Sequence, residues 1–323
     1  MTDTAAAAPT RPALSPSLLF GLLIFALLAI VPALTDVWGG SYLLSLVTKA
    51  MVLAVVAISL DILIGQAGMV SFGHAAFYAL GAYVTGISLE EGLYDAPTIL
   101  ALVVLACTVF AVVTGAISLR TSGVYFIMIT LAFGQMVFFT LQSLSAYGGD
   151  DGLTLWSLSE VFGARFLADD VPFYYITLGA LLLTWWFVAR LSASRFGRIL
   201  RGAKDNATRV EAMGFSVFRY RLIAYVIAAV IAGIGGFLVA HRTEFVSPAL
   251  AQWQMSGDLI IIVVLGGLGT RNGALIGALS FVLIEEALSE VTQYWRLIFG
   301  PLLVLLVLFA RGGIAGALGR LGK

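Results

Sequence analysis

Residues 42–64 have the sequence YLLSLVTKAMVLAVVAISLDILI, in which Lys49 and Asp61 are the only charged side chains. A run of about 20 mostly apolar residues is long enough, as a helix, to cross a hydrocarbon core of about 30 Å. The apolar residues follow one another without alternation, which excludes a strand of a membrane barrel. This stretch therefore predicts a transmembrane helix.

The composition extends that prediction to the whole chain. Of its 323 residues, 60% are hydrophobic and 11% are charged, and the mean hydropathy is +1.02. Soluble domains carry about 25% charged residues. We therefore expect an all-α integral membrane protein, a polytopic bundle of about ten transmembrane helices, some of them short or broken.

Hydropathy over windows of about 19 residues places these helices along the chain. They lie near residues 17–34, 42–64, 72–88, 97–119, 122–142, 172–191, 219–240, 256–268, 273–290 and 296–311. The third and eighth are short and glycine-rich, which is typical of broken or re-entrant helices. We treat residues 1–323 as a single transmembrane domain that begins with a tail at residues 1–16.

Charged residues are distributed unevenly among the loops. Residues 194–221, SRFGRILRGAKDNATRVEAMGFSVFRYR, hold seven of the 18 Lys and Arg residues, whereas acidic residues concentrate around 90–95, 150–151 and 169–170. Because cytoplasmic loops of membrane proteins are enriched in Lys and Arg, loop 192–218 and both termini are predicted to be cytoplasmic. Membrane topology alone would explain these cations, and that is one interpretation of the loop.

A second interpretation is that the loop binds a cytoplasmic protein. Asp205 or Asn206 can cap the start of a helix and Gly214 can end it, so the sequence predicts a short surface helix here. Its surface would combine apolar with charged side chains, namely Val210, Met213 and Phe215 beside Asp205, Arg209 and Glu211. Such a mixed surface suits a groove in a protein better than it suits lipid.

Five segments, in order, carry a family resemblance. They are GQAGMVSFGHAAFYALGAY at 65–83, TSGVYFIMITLAFGQM at 121–136, GGDDGL at 148–153, SRFGRILRGAKDNATRVEAMG at 194–214 and VVLGGLGTRNGALIGA at 263–278. Through them nearly the whole chain resembles a permease subunit of the branched-chain amino acid ABC transporter family. The resemblance implies a bacterial ATP-driven importer in the cytoplasmic (inner) membrane.

The resemblance also implies partners and a coupling element. The expected partners are a second related permease, with a homodimer as the alternative, two ATP-binding subunits, an external or periplasmic solute-binding protein and membrane lipid, but no nucleic acid. The coupling helix, which seats in the ATPase subunit, is expected to use Asp205, Asn206, Arg209, Glu211, Ala212, Met213 and Gly214. Branched-chain amino acids are the first expected substrate, and similar permeases import urea, short amides and aromatic acids.

The chain lacks the sequence features of an enzyme. It contains no GxxxxGK[ST] phosphate-binding loop, and GGLGTRNGAL at 266–275 lacks the lysine and hydroxyl pair of that motif. We therefore expect no cofactor, catalytic residue or metal in this chain, with ATP and Mg bound by the partner ATPase subunits. The lone cysteine, Cys107, excludes a disulfide within the chain and is expected to serve packing.

Two other functional classes compete with this assignment. An ion-coupled secondary transporter would need paired charged residues near the membrane midplane, and the predicted helix centres are nearly free of charge. A membrane-embedded enzyme or scaffold would leave the ordered motifs unexplained.

The third predicted helix carries a polar stripe. At 100° per residue, Ser71, His74, Tyr78, Gly81 and Thr85 fall within an arc of about 80°. Polar groups in membrane helices face the bundle interior or a cavity, so a wall of the translocation path is one interpretation. Tight helix packing through small and hydroxyl residues is the other. The candidates for the path are Gln66, Ser71, His74, Tyr78, Thr85, Thr130 and Gln135.

Further charged residues fall outside that stripe. Asp150 and Asp151 occupy a glycine-rich outer loop, where they are candidates for docking the solute-binding protein or simply form a solvated turn. Charged residues inside the predicted helices are Lys49, Asp61, Asp258, Glu285 and Glu286. We expect these five to lie near membrane interfaces, where solvation of a charge costs little.

Overall fold

The structure is a computed structural model that describes residues 16–38, 41–161, 163, 166–309 and 312–316. This part of the chain forms twelve α-helices and one short pair of strands. Helices α1 to α12 comprise Pro16–Trp38, Ser41–Asp61, His74–Glu90, Ala96–Ser118, Val124–Ser143, Asp170–Ala193, Arg195–Asp205, Ala207–Ala212, Val217–Thr243, Trp253–Gly266, Gly273–Val291 and Trp295–Phe309. Strand β1, Leu153–Thr154, pairs antiparallel with β2, Phe245–Val246. Except for Pro16, the tail at 1–16 lies outside the described residues.

The predicted all-α membrane architecture is confirmed. Each of the ten predicted helices overlaps one helix of the bundle. Five helical stretches are long and apolar enough to cross a membrane, namely Ser41–Gln66, Ala96–Ser118, Val124–Ser143, Asp170–Ala193 and Val217–Thr243, and three shorter apolar helices accompany them. The protein is therefore a multi-pass membrane protein.

Helix α2 does not run directly into α3. A π-helical turn, Ile62–Gln66, follows α2 directly, and the chain then turns at Gly68, where glycine adopts a φ of +68° at little cost. Helix α3 begins only at His74. The prediction that Ser71 belongs to the polar stripe of the third helix is therefore wrong, because Ser71 lies in the non-helical segment 67–73.

The cytoplasmic loop predicted at 192–218 contains two helices rather than one. Helix α8 is the predicted surface helix, and α7 precedes it. Ser194 caps α7 by accepting a hydrogen bond from the Gly197 amide at 3.4 Å. Leu200 and Ala203 are buried on one side of α7. This three-residue spacing of buried positions is the sequence signal that our prediction missed.

Helices α2 and α9 form the centre of the bundle. In their apolar stretches, 72% and 67% of the residues are buried, compared with 22% for α5. A helix that is apolar on all sides is stable when other helices surround it. The continuous apolar run of α2 therefore reflects burial by protein, while α5 leaves Met128, Met136 and Phe139 on the outer surface.

Helices α3 and α9 approach each other closely through glycines. A Cβ atom added at Gly81 would lie 2.1 Å from the Gly233 carbonyl oxygen, and one at Gly236 would lie 2.1 Å from that of Tyr78. Small residues allow membrane helices to gain van der Waals contacts between their backbones. Cys107 packs beside this contact, fully buried, with its sulfur 3.7 Å from the Phe77 carbonyl oxygen.

The two ends of the bundle differ in charge. One end, the basic end, holds the loop helices and, among the described residues, Arg120, Arg190, Arg195, Arg198, Arg201, Lys204, Arg209, Arg219, Arg221 and Arg271. Hydrogen bonds connect the segments at this end. Lys204 donates to the Gly65 carbonyl, and Asn272 donates to the Ser17 carbonyl. The opposite end, the acidic end, carries Glu90, Glu91, Asp95, Asp150, Asp151, Asp169, Asp170 and Glu244.

The glycine contact predicts that Gly81→Ala lowers the free energy of unfolding by about 1–3 kcal/mol, because the added methyl group must push the α9 backbone away. Gly179→Ala on α6 is the matched control, since no atom lies within 4 Å of its added Cβ. The control should be neutral or slightly stabilising, because alanine favours a helix more than glycine does. Thermal unfolding in detergent measures both, and equal midpoints would contradict the proposed contact.

Candidate coupling and translocation sites

The loop helices α7 and α8 pack on each other around a small apolar core of their own. Val210 of α8, 3% exposed, contacts Ala203 of α7 and Val217 of α9. The Asn206 side chain accepts a hydrogen bond from the Arg209 amide at 2.9 Å and caps α8. Gly214 follows the helix with φ +86°, as its role as a stop signal predicts. We call residues 194–216 the loop unit.

The outer surface of the loop unit combines charged and apolar groups. All seven coupling candidates are exposed, namely Asp205, Asn206, Arg209, Glu211, Ala212, Met213 and Gly214. Met213 is 61% exposed and Phe215 39%. The inclusion of Val210 in this exposed apolar spot is wrong, because that side chain turns inward to hold α8 on α7.

Two hydrogen bonds anchor the loop unit to the transmembrane helices, and a third joins the adjacent end of α6 to the π-helical turn after α2. Lys204 Nζ donates to the Gly65 carbonyl oxygen at 2.8 Å, in the π-helical end of α2. Next to it, Gln66 Nε2 donates to Ser192 Oγ at 2.5 Å. Arg221, on α9, donates to the Ala203 carbonyl at 3.3 Å. The loop unit is therefore bonded directly to the π-helical turn that follows α2.

The break between α2 and α3 is held by polar side chains from several helices. Thr130 Oγ1 accepts from the Phe72 amide at 3.2 Å, and Ser256 Oγ accepts from the Ala75 amide at 3.1 Å. Ser59 Oγ and His74 Nε2 share a hydrogen bond of 2.7 Å. The first turn of α3 is thus fixed to α2, α5 and α10.

The predicted path residues fall into three groups. Ser71, His74, Thr85 and Thr130 are fully buried between helices, and Gln135 is half-buried. Gln66 lines a cavity of about 300 Å³ at the basic end. Tyr78, 2% exposed, lines a cavity of about 210 Å³ nearer the acidic end. A wall of the translocation path and tight helix packing would both place the stripe inside the bundle. A role of these residues in translocation stays a prediction.

The proposed docking loop at the acidic end is an ordered turn. Asp150 and Asp151 are exposed, and the Asp150 carboxylate accepts a hydrogen bond from Gln142 Nε2 at 2.8 Å. Tyr147 donates to Glu91 Oε1 at 2.8 Å, and this bond raises the pKa of the exposed Tyr147 hydroxyl. The hydrogen bond from Gln142 therefore holds the Asp150 carboxylate in place, and contact of Asp150 and Asp151 with a receptor stays a prediction.

Charged side chains inside the helices form pairs that sequence analysis missed. Lys49 on α2 and Glu285 on α11 lie 2.8 Å apart, while Asp258 on α10 and Arg296 on α12 lie 3.5 Å apart. Lys49 and Glu285 are separated by 236 positions in the chain, so no local pattern links them. Only the weak signal of charges within apolar helices could have identified them.

Metal binding has no support in the described part of the chain. No group of three or more His, Cys, Asp or Glu side chains there is arranged to hold a metal ion. Both histidines bond to serines instead, His74 to Ser59 and His241 to Ser159.

The chain is similar to several proteins that are all described as permease proteins of branched-chain amino acid transport systems. "High-affinity branched-chain amino acid transport system permease protein LivM" of Escherichia coli (strain K12) is 27% identical over 290 residues, which cover 83% of this chain and 68% of the relative. LivH, a permease protein of the same description and organism, is 27% identical over 293 residues, covering 84% and 93%. BraD, a similarly described permease protein of Pseudomonas aeruginosa, is 24% identical over 282 residues, covering 81% and 91%.

No solved structure matches the chain. The family model for the permease component of branched-chain amino acid transport systems matches residues 42–308. That range includes the broken helix α2, the loop unit and both cavities. The chain therefore belongs to the family of permease components of branched-chain amino acid transport systems.

Proposed function

We propose that this chain is a non-catalytic permease subunit of an ATP-driven importer and forms half of the translocation path for branched-chain amino acids. The loop unit is the observation that carries the proposal. It exposes a mixed charged and apolar surface, and it is bonded through Lys204 to the broken end of α2. A partner that moves this unit can therefore act on the helices around both cavities.

We infer that the basic end faces the cytoplasm of a bacterial cell. Lys and Arg concentrate on the cytoplasmic side of membrane proteins, and the structure collects ten of them at this end, with three acidic residues, Asp61, Asp205 and Glu211. In this orientation ten helices cross the inner membrane and both termini are cytoplasmic. The acidic end then faces the periplasm, where Asp150 and Asp151 would meet the solute-binding protein.

Coupling needs an ATPase that this chain does not supply. The sequence has no phosphate-binding loop, so ATP and Mg belong to two partner subunits in the proposed complex. We propose that α8 seats in a groove of one ATPase. Movement of α8 would pass through α7 and Lys204 to the π-helix, and then through residues 67–73 to His74.

The two cavities suggest where the solute passes. Lys49, Val52 and Leu53 of α2 border the cavity nearer the acidic end, and Ile58, Asp61 and Gln66 border the cavity at the basic end. Between them Ala54–Ala57 are buried completely. We propose that the path follows this side of α2 and that the structure represents a closed state, with the packed Ala54–Ala57 segment as the barrier.

The substrate assignment depends on the relatives. Those named above are described as branched-chain amino acid permeases, and we propose leucine, isoleucine and valine for this chain. A binding screen with the cognate solute-binding protein tests this. Strong binding of urea, short amides or aromatic acids, with none of the three amino acids bound, would contradict the proposed substrate while leaving the importer architecture intact.

Assembly provides the next prediction. Escherichia coli (strain K12) has two distinct permease proteins that both resemble this chain, so we expect a second related permease rather than a second copy of this one. Two permeases present two coupling helices to two ATPases with pseudo-twofold symmetry. The mass of the intact purified complex should equal one copy of each permease plus two ATP-binding subunits. A stable complex that contains one permease chain and no ATPase would refute the proposal.

The coupling surface can be tested by Glu211→Lys. Reversal of this exposed charge should reduce ATPase copurification and transport by at least tenfold, because a buried interface does not tolerate like charges. Membrane insertion should be normal, since the loop becomes more positive. Glu90→Lys, at an exposed residue of the acidic end, is the matched control and should retain both activities.

Gly214→Val tests the same surface through the backbone. The φ of +86° at Gly214 strains a residue with a Cβ by about 1–2 kcal/mol, although no neighbouring atom would clash. The variant should insert normally and lose coupled transport. Wild-type transport with fully coupled ATP hydrolysis in both Glu211→Lys and Gly214→Val would require a different coupling element.

A further inference from the structure

The cavity of about 210 Å³ is lined by four charged side chains in addition to Tyr78. They are Lys49 of α2, Arg242 of α9, Asp258 of α10 and Glu285 of α11. Two are cations and two are anions, so the charged lining is neutral as a whole. Each comes from a different helix, which means that the cavity exists only in the assembled bundle.

Three of these charges lie five to eight residues inside their helices, whereas Arg242 is one residue from the end of α9. Lys49 is eight residues from the start of α2, Asp258 is five residues from the start of α10, and Glu285 is six residues from the end of α11. At 1.5 Å per residue these positions are about 8–12 Å below the helix ends. Their predicted placement near membrane interfaces stays a prediction. Charges at such depth face a cavity or a partner rather than lipid, and they mark substrate pathways.

The charged groups are close enough to act together. Lys49 Nζ and Glu285 Oε2 lie 2.8 Å apart, with about one third and one quarter of their side chains exposed. Asp258 interacts electrostatically with both of them and with Arg296. Arg242 donates to the Ser45 carbonyl at 3.1 Å and interacts electrostatically with Tyr78. The two cations and the two carboxylates thus line the same cavity.

The rest of the lining is apolar. Val52 and Leu53 of α2, Ile262 of α10 and Phe281 of α11 form part of the wall. The volume is below the about 300–1,000 Å³ typical of sites for drug-sized ligands, which restricts the occupant to a small solute. Opposite charges beside an aliphatic wall match a molecule that carries an ammonium, a carboxylate and a short branched hydrocarbon.

We propose that this cavity binds one aliphatic amino acid as a zwitterion within the permease itself. Asp258 and Glu285 face the ammonium, Arg242 and Lys49 face the carboxylate, and the apolar wall takes the side chain. This inference rests on the proposed importer function and adds a second selection step after the solute-binding protein. Urea and short amides lack the pair of opposite charges that this lining complements.

Direct binding tests the site without the solute-binding protein. Tritiated L-leucine is equilibrated with the detergent-purified complex of permeases and ATPases, and 4-methylpentanoate, which lacks the ammonium, serves as competitor. Asp258→Asn and Glu285→Gln should each raise the Kd for leucine at least tenfold. The inhibition constant of 4-methylpentanoate should not rise, because the variants remove ammonium recognition and leave the cations Lys49 and Arg242, which face the carboxylate, in place. A loss of overall structure would weaken both ligands.

Glu286→Gln is the matched control. Glu286 neighbours Glu285 on α11, does not line the cavity and accepts a hydrogen bond from Tyr42. Its variant should bind leucine within twofold of the wild type. No leucine binding by the wild-type complex, or an equal effect of all three variants, would overturn the inference. If Asp258→Asn fails to fold, Glu285→Gln carries the same test.

ATP-driven leucine uptake into proteoliposomes with the solute-binding protein separates the two proposals. Uptake by the wild type, together with unchanged leucine binding in Asp258→Asn and Glu285→Gln, would overturn the zwitterion site and leave the importer function standing. Absence of uptake of any branched-chain amino acid would refute the proposed substrate. Tenfold weaker leucine binding by these two variants, with the control unaffected, would support the zwitterion site whether or not the proteoliposomes take up branched-chain amino acids.

Discussion

A bilayer offers no hydrogen-bonding partners, so a broken helix within it must satisfy its freed backbone groups with protein. The break between α2 and α3 does so with side chains from three other parts of the bundle. Lys204 donates to the Gly65 carbonyl, Thr130 accepts from Phe72, and Ser256 accepts from Ala75. Asp61, just before the break, accepts from the Gly269 amide at 2.8 Å. The break therefore fixes the positions of α5, α7, α10 and the loop before α11.

This arrangement connects the loop unit at the basic end to the cavity at that end. Lys204 belongs to the loop unit, whereas Asp61 and Gln66 line the larger cavity. The hydrogen bond between Lys204 and Gly65 thus joins the loop unit to the edge of that cavity without an intervening flexible linker. The charged cavity lies farther along α2, beyond the buried Ala54–Ala57 segment. Packed helices switch between discrete arrangements rather than deforming continuously, so this segment suits a gate.

Features that depend on neighbouring residues were predictable from the sequence. Asn206 and Gly214 identified the surface helix because capping and positive φ are local properties. Helix α7 was overlooked although Gly197, Leu200 and Ala203 recur every three residues on its buried face, because glycine and alanine contribute little to an apolar periodicity. Ser71 was assigned to the third helix because periodicity does not reveal where a helix begins. The π-helical end of α2 and the turn at Gly68 moved that start to His74.

The sequence by itself determined the membrane class, the helices, the uneven distribution of charge among the loops and the family resemblance. Hydropathy and charge are properties of each segment alone. Only the tertiary structure decided which charges meet. Lys49 joins Glu285, and Asp258 joins Arg296, across helices that are distant in the chain. Their proximity results from the packing of α2, α10, α11 and α12, and the glycine contact of α3 with α9 completes the enclosure. Shape and charge of the cavity are therefore products of packing that no single segment encodes.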